Sequence, residues 1–244
     1  MIGPKPTIGV GKASLEEAVI ARAVSVVAGL VVVLGVVAGL AVWYRLGGMF
    51  ERIRRRKLAG FPFESNRGRV VMIGSSSFEY WKTAEQDLAP VGVLNLGIGG
   101  TAIAHWTGYL DSTVLPYRPR GLMIYAGLND FNVRADPIAV FSRMKQLLDA
   151  IEVKLPGVPV LCLGLCPTLA RATNWEDIEQ FNSLVAKLCR SKPGFHFLDS
   201  TAEILDENAQ LQKEIYRFDG LHFNALGYAC WLRSVKPAVD RVFG

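Results

Sequence analysis

Cysteine and histidine are both scarce in this sequence, which has four cysteines and three histidines among 244 residues. No two cysteines form a CxxC pair and no histidine pair accompanies them, so the usual pattern of a zinc site is missing. We therefore expect that the chain binds no metal and that its cysteines are buried, free thiols, which agrees with a reducing compartment. The cysteines are Cys162, Cys166, Cys189 and Cys230.

A surplus of positive charge is missing from most of the chain, although the whole carries a formal net charge of +5. Ten of the 27 Lys and Arg residues, but four of the 22 Asp and Glu residues, fall in residues 1–67, which gives that segment +6. Residues 68–244 are left with −1. The larger part of the chain lacks the basic surface that binding of DNA or RNA requires, so we expect no nucleic-acid partner.

Charged residues are absent from positions 23–44, which are almost entirely apolar. A helix of this length spans about 33 Å at about 1.5 Å per residue, enough to cross a bilayer core. A signal peptide has a shorter apolar region that ends at small residues, whereas this run ends in Trp43, Tyr44 and Arg45. The sequence predicts a transmembrane helix at 23–44 after an N-terminal tail at 1–22; a buried core helix is the other alternative.

Positive residues flank the predicted span on both sides and are more numerous after it, in a basic juxtamembrane linker at 45–69 whose segment MFERIRRRKL is compatible with an interfacial helix. Because the more positive flank tends to stay in the cytoplasm, we expect the C-terminal domain on the cytoplasmic side. The linker arginines suit contact with membrane lipid headgroups, and fixing the topology is their alternative role. Gly35 and Gly39 form a GxxxG pattern that is compatible with a homodimer but also arises by accident in such spans.

Short apolar runs alternate with helical patterns from Val70 to the C-terminus. This alternation predicts an α/β domain at 70–244, a three-layer α/β/α sandwich with a five-stranded parallel sheet and its site at the carboxyl ends of the strands. The predicted strands are 70–74, 91–97, 121–127, 158–164 and 195–199, and the clearest helices are 137–154, 174–190 and 224–242.

Serine and glycine motifs follow the first two predicted strands. The serines after Gly74 match neither a GxSxG nucleophile elbow nor a Walker A loop, and a serine-rich turn often has no catalytic role. The loop NLGIGGT contains a relaxed dinucleotide fingerprint, but it follows the second strand and lacks an acid about 20 residues later. Its glycines instead favour the approach of a main-chain N–H to a reacting oxygen, and the Asn129 amide after the third strand suits the same oxygen.

Asp219 and His222 are three residues apart just before the last predicted helix. An acid at this spacing can orient a histidine and stabilise its protonated form, although an ordinary helix-entry turn is the alternative. Of the other histidines, His105 has no acid close in sequence and His196 lies in a strand pattern.

Together these motifs resemble the four blocks of the SGNH (GDSL-type) hydrolases, in family order over residues 70–244. The blocks are IGSSSFEYW, NLGIGGT, GLND and DGLH. The resemblance implies the flavodoxin-like SGNH fold and a catalytic triad of Ser76, His222 and Asp219. It also implies an oxyanion hole formed by Ser76, Gly100 and Asn129, and no metal or organic cofactor.

Two positions depart from the family pattern. Ser75 replaces the acid of the GDS motif, and Thr101 replaces an acid that often follows the glycine of the second block. Neither acid belongs to the triad, so the departures concern hydrogen bonding near the nucleophile and substrate preference. Asp130, beside the amide of the third block, is expected to anchor its loop.

The leading hypothesis is a membrane-anchored serine ester hydrolase that acts on a small-molecule or lipid ester. A carbohydrate O-acyl esterase or an acyltransferase is the alternative on the same fold, because the same triad can pass the acyl group to an alcohol. A catalytically silent, membrane-tethered binding domain is the alternative from another class.

Overall fold

The computed structural model describes residues 12–131 and 135–244, so the first eleven residues of the predicted tail lie outside it. The chain divides into two compact units, Met1–Arg52 and Ile53–Gly244. Helix α1 is Lys12–Ala59, and its residues 53–59 belong to the second unit. The helix extends beyond the apolar run on both sides because no proline interrupts it. Much of the predicted linker at 45–69 is therefore helical.

The apolar part of α1 is exposed. A stretch at Ile20–Gly39 has a mean hydropathy of 2.5 and none of it is buried. Val32 and Leu34, for example, are each 65% exposed. A core helix of a soluble protein buries at least one face, so this exposure disfavours the core-helix alternative.

The second unit contains a five-stranded parallel sheet with the strand order β2-β1-β3-β4-β5. Each strand falls inside a run predicted as a strand, and the predicted α/β fold is confirmed. Strands β1, β3 and β4 are buried throughout, as expected where helices cover both faces of a parallel sheet. The strands are β1 Val70–Gly74, β2 Val93–Asn95, β3 Gly121–Tyr125, β4 Val160–Leu163 and β5 Phe195–Leu198.

The long helices of this unit lie within a residue or so of their predicted bounds. The Asn224 side chain begins the last of them by accepting hydrogen bonds from the N–H groups of Leu226 (2.9 Å) and Gly227 (3.1 Å). The helices are α2 Ser76–Glu79, α3 Ala84–Asp87, α4 Ile103–Tyr109, α5 Pro137–Lys154, α6 Trp175–Ser191 and α7 Ala225–Phe243. Short helical turns are Glu64–Asn66, Leu110–Val114, Leu115–Tyr117, Leu169–Asn174, Thr201–Ile204 and Lys213–Ile215.

A buried aromatic cluster joins α2 to α7 at the carboxyl end of β3. The Trp231 ring lies 5.0 Å from Tyr125 and 5.5 Å from Trp81, measured between ring centroids. The Tyr228 hydroxyl donates a 2.7 Å hydrogen bond to the Ser77 carbonyl. These contacts fix the start of α2 against α7 and hence against the loop that precedes α7.

All four cysteines are free and buried, as predicted. Burial raises the pKa of the Cys166 thiol to about 12, so this group is a neutral, inert part of the core at physiological pH.

Candidate active site

A tight turn between β1 and α2 presents one serine of three to the surface. Ser75 and Ser77 are buried, whereas Ser76, the first residue of α2, is only partly buried. The Ser75 N–H donates to the Tyr125 carbonyl of β3, which holds the turn on the sheet. The Ser76 hydroxyl therefore lies at the carboxyl edge of the sheet, where the parallel fold predicts a site.

Ser76, His222 and Asp219 form a continuous hydrogen-bonded chain. The distance from Ser76 Oγ to His222 Nε2 is 2.8 Å, and that from His222 Nδ1 to Asp219 Oδ2 is 2.7 Å. The serine and the histidine are 146 positions apart in the sequence, so the fold alone brings them together. All three residues of the predicted triad are within direct hydrogen-bonding reach.

The charge of Asp219 decides which nitrogen of His222 carries a proton in the hydrogen-bonded series from Ser76 to Asp219. Burial alone would raise its pKa, but hydrogen bonds from the His222 ring and from two main-chain N–H groups outweigh burial and lower its pKa to about 2. An ionised carboxylate only accepts hydrogen bonds, so His222 Nδ1 donates to it. His222 Nε2 is then left to accept the proton of the Ser76 hydroxyl.

Tyr80 and Arg217 support the histidine from the side. The Tyr80 and His222 rings meet edge to face with centroids 4.9 Å apart, and the Arg217 guanidinium lies 4.5 Å from the centroid of Tyr80. The main-chain N–H of Arg217 also donates to the His222 carbonyl at 2.8 Å. Sequence reasoning assigned no role to either residue: Tyr80 lies within the block IGSSSFEYW without a recognised function, and no motif points to Arg217.

The glycine loop after β2 packs closely on the nucleophile turn. A Cβ on Gly97 would lie 2.6 Å from Phe78 Cβ, and one on Gly99 would overlap the Glu79 carboxylate. Gly100 has φ +77°, a conformation that favours glycine. Among the described residues, the N–H groups of Ser76 and Gly100 have no hydrogen-bond acceptor.

Asn129 lies in the loop that follows β3, next to the glycine loop. Its Nδ2 donates a 3.0 Å hydrogen bond to the Thr101 carbonyl, which places the amide beside the glycine loop. Thr101, the second departure from the family pattern, is fully buried, and its hydroxyl donates to the Ile98 carbonyl at 2.7 Å. The neutral Thr101 hydroxyl therefore holds the loop at the position where the family pattern often has an acid after the glycine.

Asp130 anchors the loop that carries Asn129. Its Oδ2 accepts a 3.0 Å hydrogen bond from the Ile103 N–H at the start of α4, and Arg143 lies 3.4 Å from Oδ1. Burial raises the pKa of Asp130, and these two contacts only partly oppose that shift. This geometry fits the anchoring role expected for Asp130.

A cavity of about 360 Å³ lies beside Tyr80, whose ring contacts His222, and polar, charged and apolar side chains line it. The lining includes Tyr80, Lys82, Arg217 and Tyr228. Over residues 12–131 and 135–244, no three His, Cys, Asp or Glu side chains cluster in a way that could hold a metal ion.

Comparison with known proteins gives matches to several hydrolases. A family model described as the GDSL-like lipase/acylhydrolase family matches residues 72–230. The fold resembles that of a Streptococcus pneumonia protein named for platelet activating factor, with a TM-score of 0.71 and 19% identity over 84% of this chain and 98% of that one. A GDSL-like lipase from Bacteroides thetaiotaomicron has a TM-score of 0.60 and 20% identity over 79% and 97%. At these identities the structural matches show the fold alone.

One curated relative is much longer than this chain. It is an N-acylneuraminate cytidylyltransferase of Escherichia coli O18:K1:H7 (strain RS218 / NMEC), 25% identical over 175 residues. The match covers 70% of this chain but 40% of the relative. The family model, in contrast, covers most of the sheet and all four motif blocks. The chain therefore belongs to the GDSL-like lipase/acylhydrolase family, a family of ester hydrolases.

Proposed function

We propose that this chain is a membrane-anchored serine ester hydrolase with Ser76 as the nucleophile. The observation that carries the proposal is the hydrogen-bonded chain from Ser76 Oγ through His222 to an ionised Asp219. His222 Nε2 takes the hydroxyl proton as Ser76 Oγ attacks the ester carbonyl, and then gives that proton to the departing alcohol. Water repeats the sequence on the acyl-enzyme, which releases the acid and restores Ser76.

Three donors are proposed to bind the oxyanion: the N–H groups of Ser76 and Gly100, and the Asn129 amide. The two N–H groups have no acceptor among the described residues, and the amide lies beside the same loop. Asn129 would exchange the Thr101 carbonyl for the oxyanion as charge develops. A donor of this kind contributes about 10²–10³ in rate in comparable sites.

Water is the acyl acceptor that the site favours. The Asp219 side chain is 32% exposed and that of His222 is 16% exposed, so solvent reaches the triad. This openness supports hydrolysis over transfer of the acyl group to an alcohol. The proposed substrate is a small-molecule or lipid ester, and a carbohydrate O-acyl ester is the alternative. One structural relative, from Talaromyces cellulolyticus, is a carbohydrate esterase of family 3 (TM-score 0.55, 16% identity).

Helix α1 is proposed to anchor the chain in a membrane through its exposed apolar stretch at Ile20–Gly39. A signal sequence has the same composition near an N-terminus and is the alternative. The more numerous positive charges after the stretch favour a cytoplasmic position for the hydrolase domain. Dimerisation through Gly35 and Gly39 stays a prediction.

The test is the hydrolysis of p-nitrophenyl acetate and longer acyl esters by the full-length chain in detergent. We expect Ser76→Ala and His222→Ala each to lower kcat by several orders of magnitude. Ser77→Ala, beside the nucleophile but buried, is the matched control and should keep most of the activity. A fluorophosphonate should label the wild type and not Ser76→Ala.

Other outcomes of this test would point to a different nucleophile, to the silent binding domain or to the acyltransferase. Activity that survives Ser76→Ala but disappears in Ser77→Ala would mean that the nucleophile is misassigned. Neither turnover nor labelling in the wild type would favour the silent binding domain. When an alcohol is added, formation of its ester in place of the free acid would favour the acyltransferase.

A further inference from the structure

The end of helix α1 reaches the glycine loop through Lys57. Residues 53–59 belong to the same compact unit as the sheet. The Lys57 ammonium donates a hydrogen bond to the Gly97 carbonyl, at the start of the loop that carries Gly100. Arg55 and Arg56, its neighbours in the helix, are exposed, whereas Lys57 is partly buried. Lys57 is therefore directed at the loop.

Glu79 holds the same loop from the nucleophile turn. Its Oε2 accepts a 2.9 Å hydrogen bond from the Gly99 N–H, and Glu79 is the last residue of α2, the helix that begins at Ser76. The Lys57 ammonium thus binds the loop at the Gly97 carbonyl, and the Glu79 carboxylate binds it at the Gly99 N–H. Both contacts lie within three residues of Gly100.

The position of Lys57 is unfavourable for a charged group. Burial lowers its pKa to about 8; the Glu79 carboxylate opposes that shift and the Lys82 ammonium adds to it. An apolar side chain of similar length would avoid the desolvation of an ammonium group. A charge kept at such a position beside a reacting loop is typical of sites where function opposes stability.

We propose that Lys57 and Glu79 are positioning residues that together hold the loop from Gly97 to Gly100, so that the Gly100 N–H meets the developing oxyanion. The inference rests on the proposed function, because it concerns the oxyanion hole of the same reaction. Neither side chain needs to touch the substrate. Displacement of one donor by about 1 Å is enough to cost a large factor in rate.

The experiment measures ester hydrolysis by the full-length chain in detergent for Lys57→Met, which keeps the aliphatic stem and loses the donor. We expect kcat to fall about tenfold to a hundredfold with KM within twofold of the wild type, since an imperfect oxyanion hole affects the transition state alone. The melting temperature at pH 7 should not fall, because a partly desolvated charge has been removed. Arg56→Met is the matched control, since Arg56 is the exposed neighbour of Lys57 in the same helix; it should keep the wild-type kcat.

A second pair of variants makes the test independent of Lys57. Glu79→Gln keeps an oxygen that can accept from Gly99, whereas Glu79→Ala loses it, so the alanine variant should lose kcat and the glutamine variant should lose much less. If Lys57→Met does not yield folded protein, this pair decides the question. Equal kcat in the two Glu79 variants would overturn the inference.

The remaining outcomes separate this inference from the proposed function. Wild-type kcat in Lys57→Met, with Ser76→Ala inactive, would overturn the positioning role and leave the hydrolase standing. A raised KM with unchanged kcat would mean that Lys57 binds substrate instead. Loss of kcat in step with a lower melting temperature would assign Lys57 a purely structural role. Full activity in Ser76→Ala would overturn the proposed function itself.

Discussion

Asp219 accepts three hydrogen bonds, one from the His222 ring and two from the main-chain N–H groups of Leu221 and His222. Asp219→Asn keeps the shape of the turn but can no longer hold the histidine in the required tautomer. We expect kcat to fall about 10⁴-fold, as the same change does in another serine triad. Asp206→Asn is the control, because Asp206 accepts from two N–H groups of its own turn in the same way. Its activity should be unchanged.

The same carboxylate should make stability depend on pH. Its pKa of about 2 in the folded chain is below the value of about 3.9 for an unfolded aspartate. Its contribution to the free energy of unfolding is therefore fully present above pH 4 and is lost as the pH falls through 2. Urea unfolding of the wild type and Asp219→Asn at pH 5 and pH 2.5 checks this. The difference between the two proteins should shrink at the lower pH, and a constant difference would contradict the assignment.

The triad residues are easier to predict than the residues that support them. Ser76, Asp219 and His222 lie in blocks whose order resembles a family, and parallel strands bring their carboxyl ends together. The contacts of Lys57 with Gly97 and of Arg217 with Tyr80 join positions far apart in sequence through packing alone. No periodicity or spacing encodes such pairs, so they required the structure.

At the level of whole elements, the runs of apolar residues located every strand because a buried parallel strand is apolar on both faces. The end of α1 was harder to predict. Residues 45–69 are rich in arginine, which suggested a linker, yet Arg54 donates a 2.9 Å hydrogen bond to the Thr113 hydroxyl and belongs to the unit that holds the sheet. Charge composition alone does not distinguish a cation that packs on a domain from one that faces solvent.

Asp130 connects the loop that follows β3 to the start of α4. Asp130→Ala would leave the Ile103 N–H, at the buried start of α4, without its acceptor. We expect the free energy of unfolding to fall by about 1–3 kcal/mol, the cost of an unsatisfied buried donor. Denaturant titration measures this loss. Asp111→Ala, which removes an exposed partner of Lys154, is the control and should cost less than about 1 kcal/mol. Equal losses in the two variants would contradict the anchoring role.

At the scale of the whole molecule, the N-terminal part of the chain differs from the rest in both charge and hydropathy. The positive surplus falls in residues 1–67 and the exposed apolar stretch in α1, while the rest of the chain is nearly neutral. The composition of the whole chain averages these parts and describes neither. The unit that carries the proposed site begins at Ile53, inside α1, and so includes the last turns of that helix.

Two fragments test this division. A fragment of residues 53–244 keeps Arg54 and Lys57, whereas one of residues 60–244 loses both contacts with the domain. We expect the longer fragment to be released into the supernatant and to hydrolyse esters with the kcat of the full-length chain. The shorter one should have a lower melting temperature and a kcat no higher than that of Lys57→Met.

The full-length chain, by contrast, should stay in the membrane pellet after carbonate extraction, because an apolar stretch as long as Ile20–Gly39 can cross the bilayer core. N-terminal sequencing of the pelleted protein distinguishes an anchor from a cleaved signal sequence, which would be missing. A reporter fused after Gly244 should be active in the cytoplasm. Release by carbonate, or a mature chain that begins after the apolar stretch, would overturn the anchor. Equal activity and stability of the two fragments would show that the end of α1 contributes nothing to the domain.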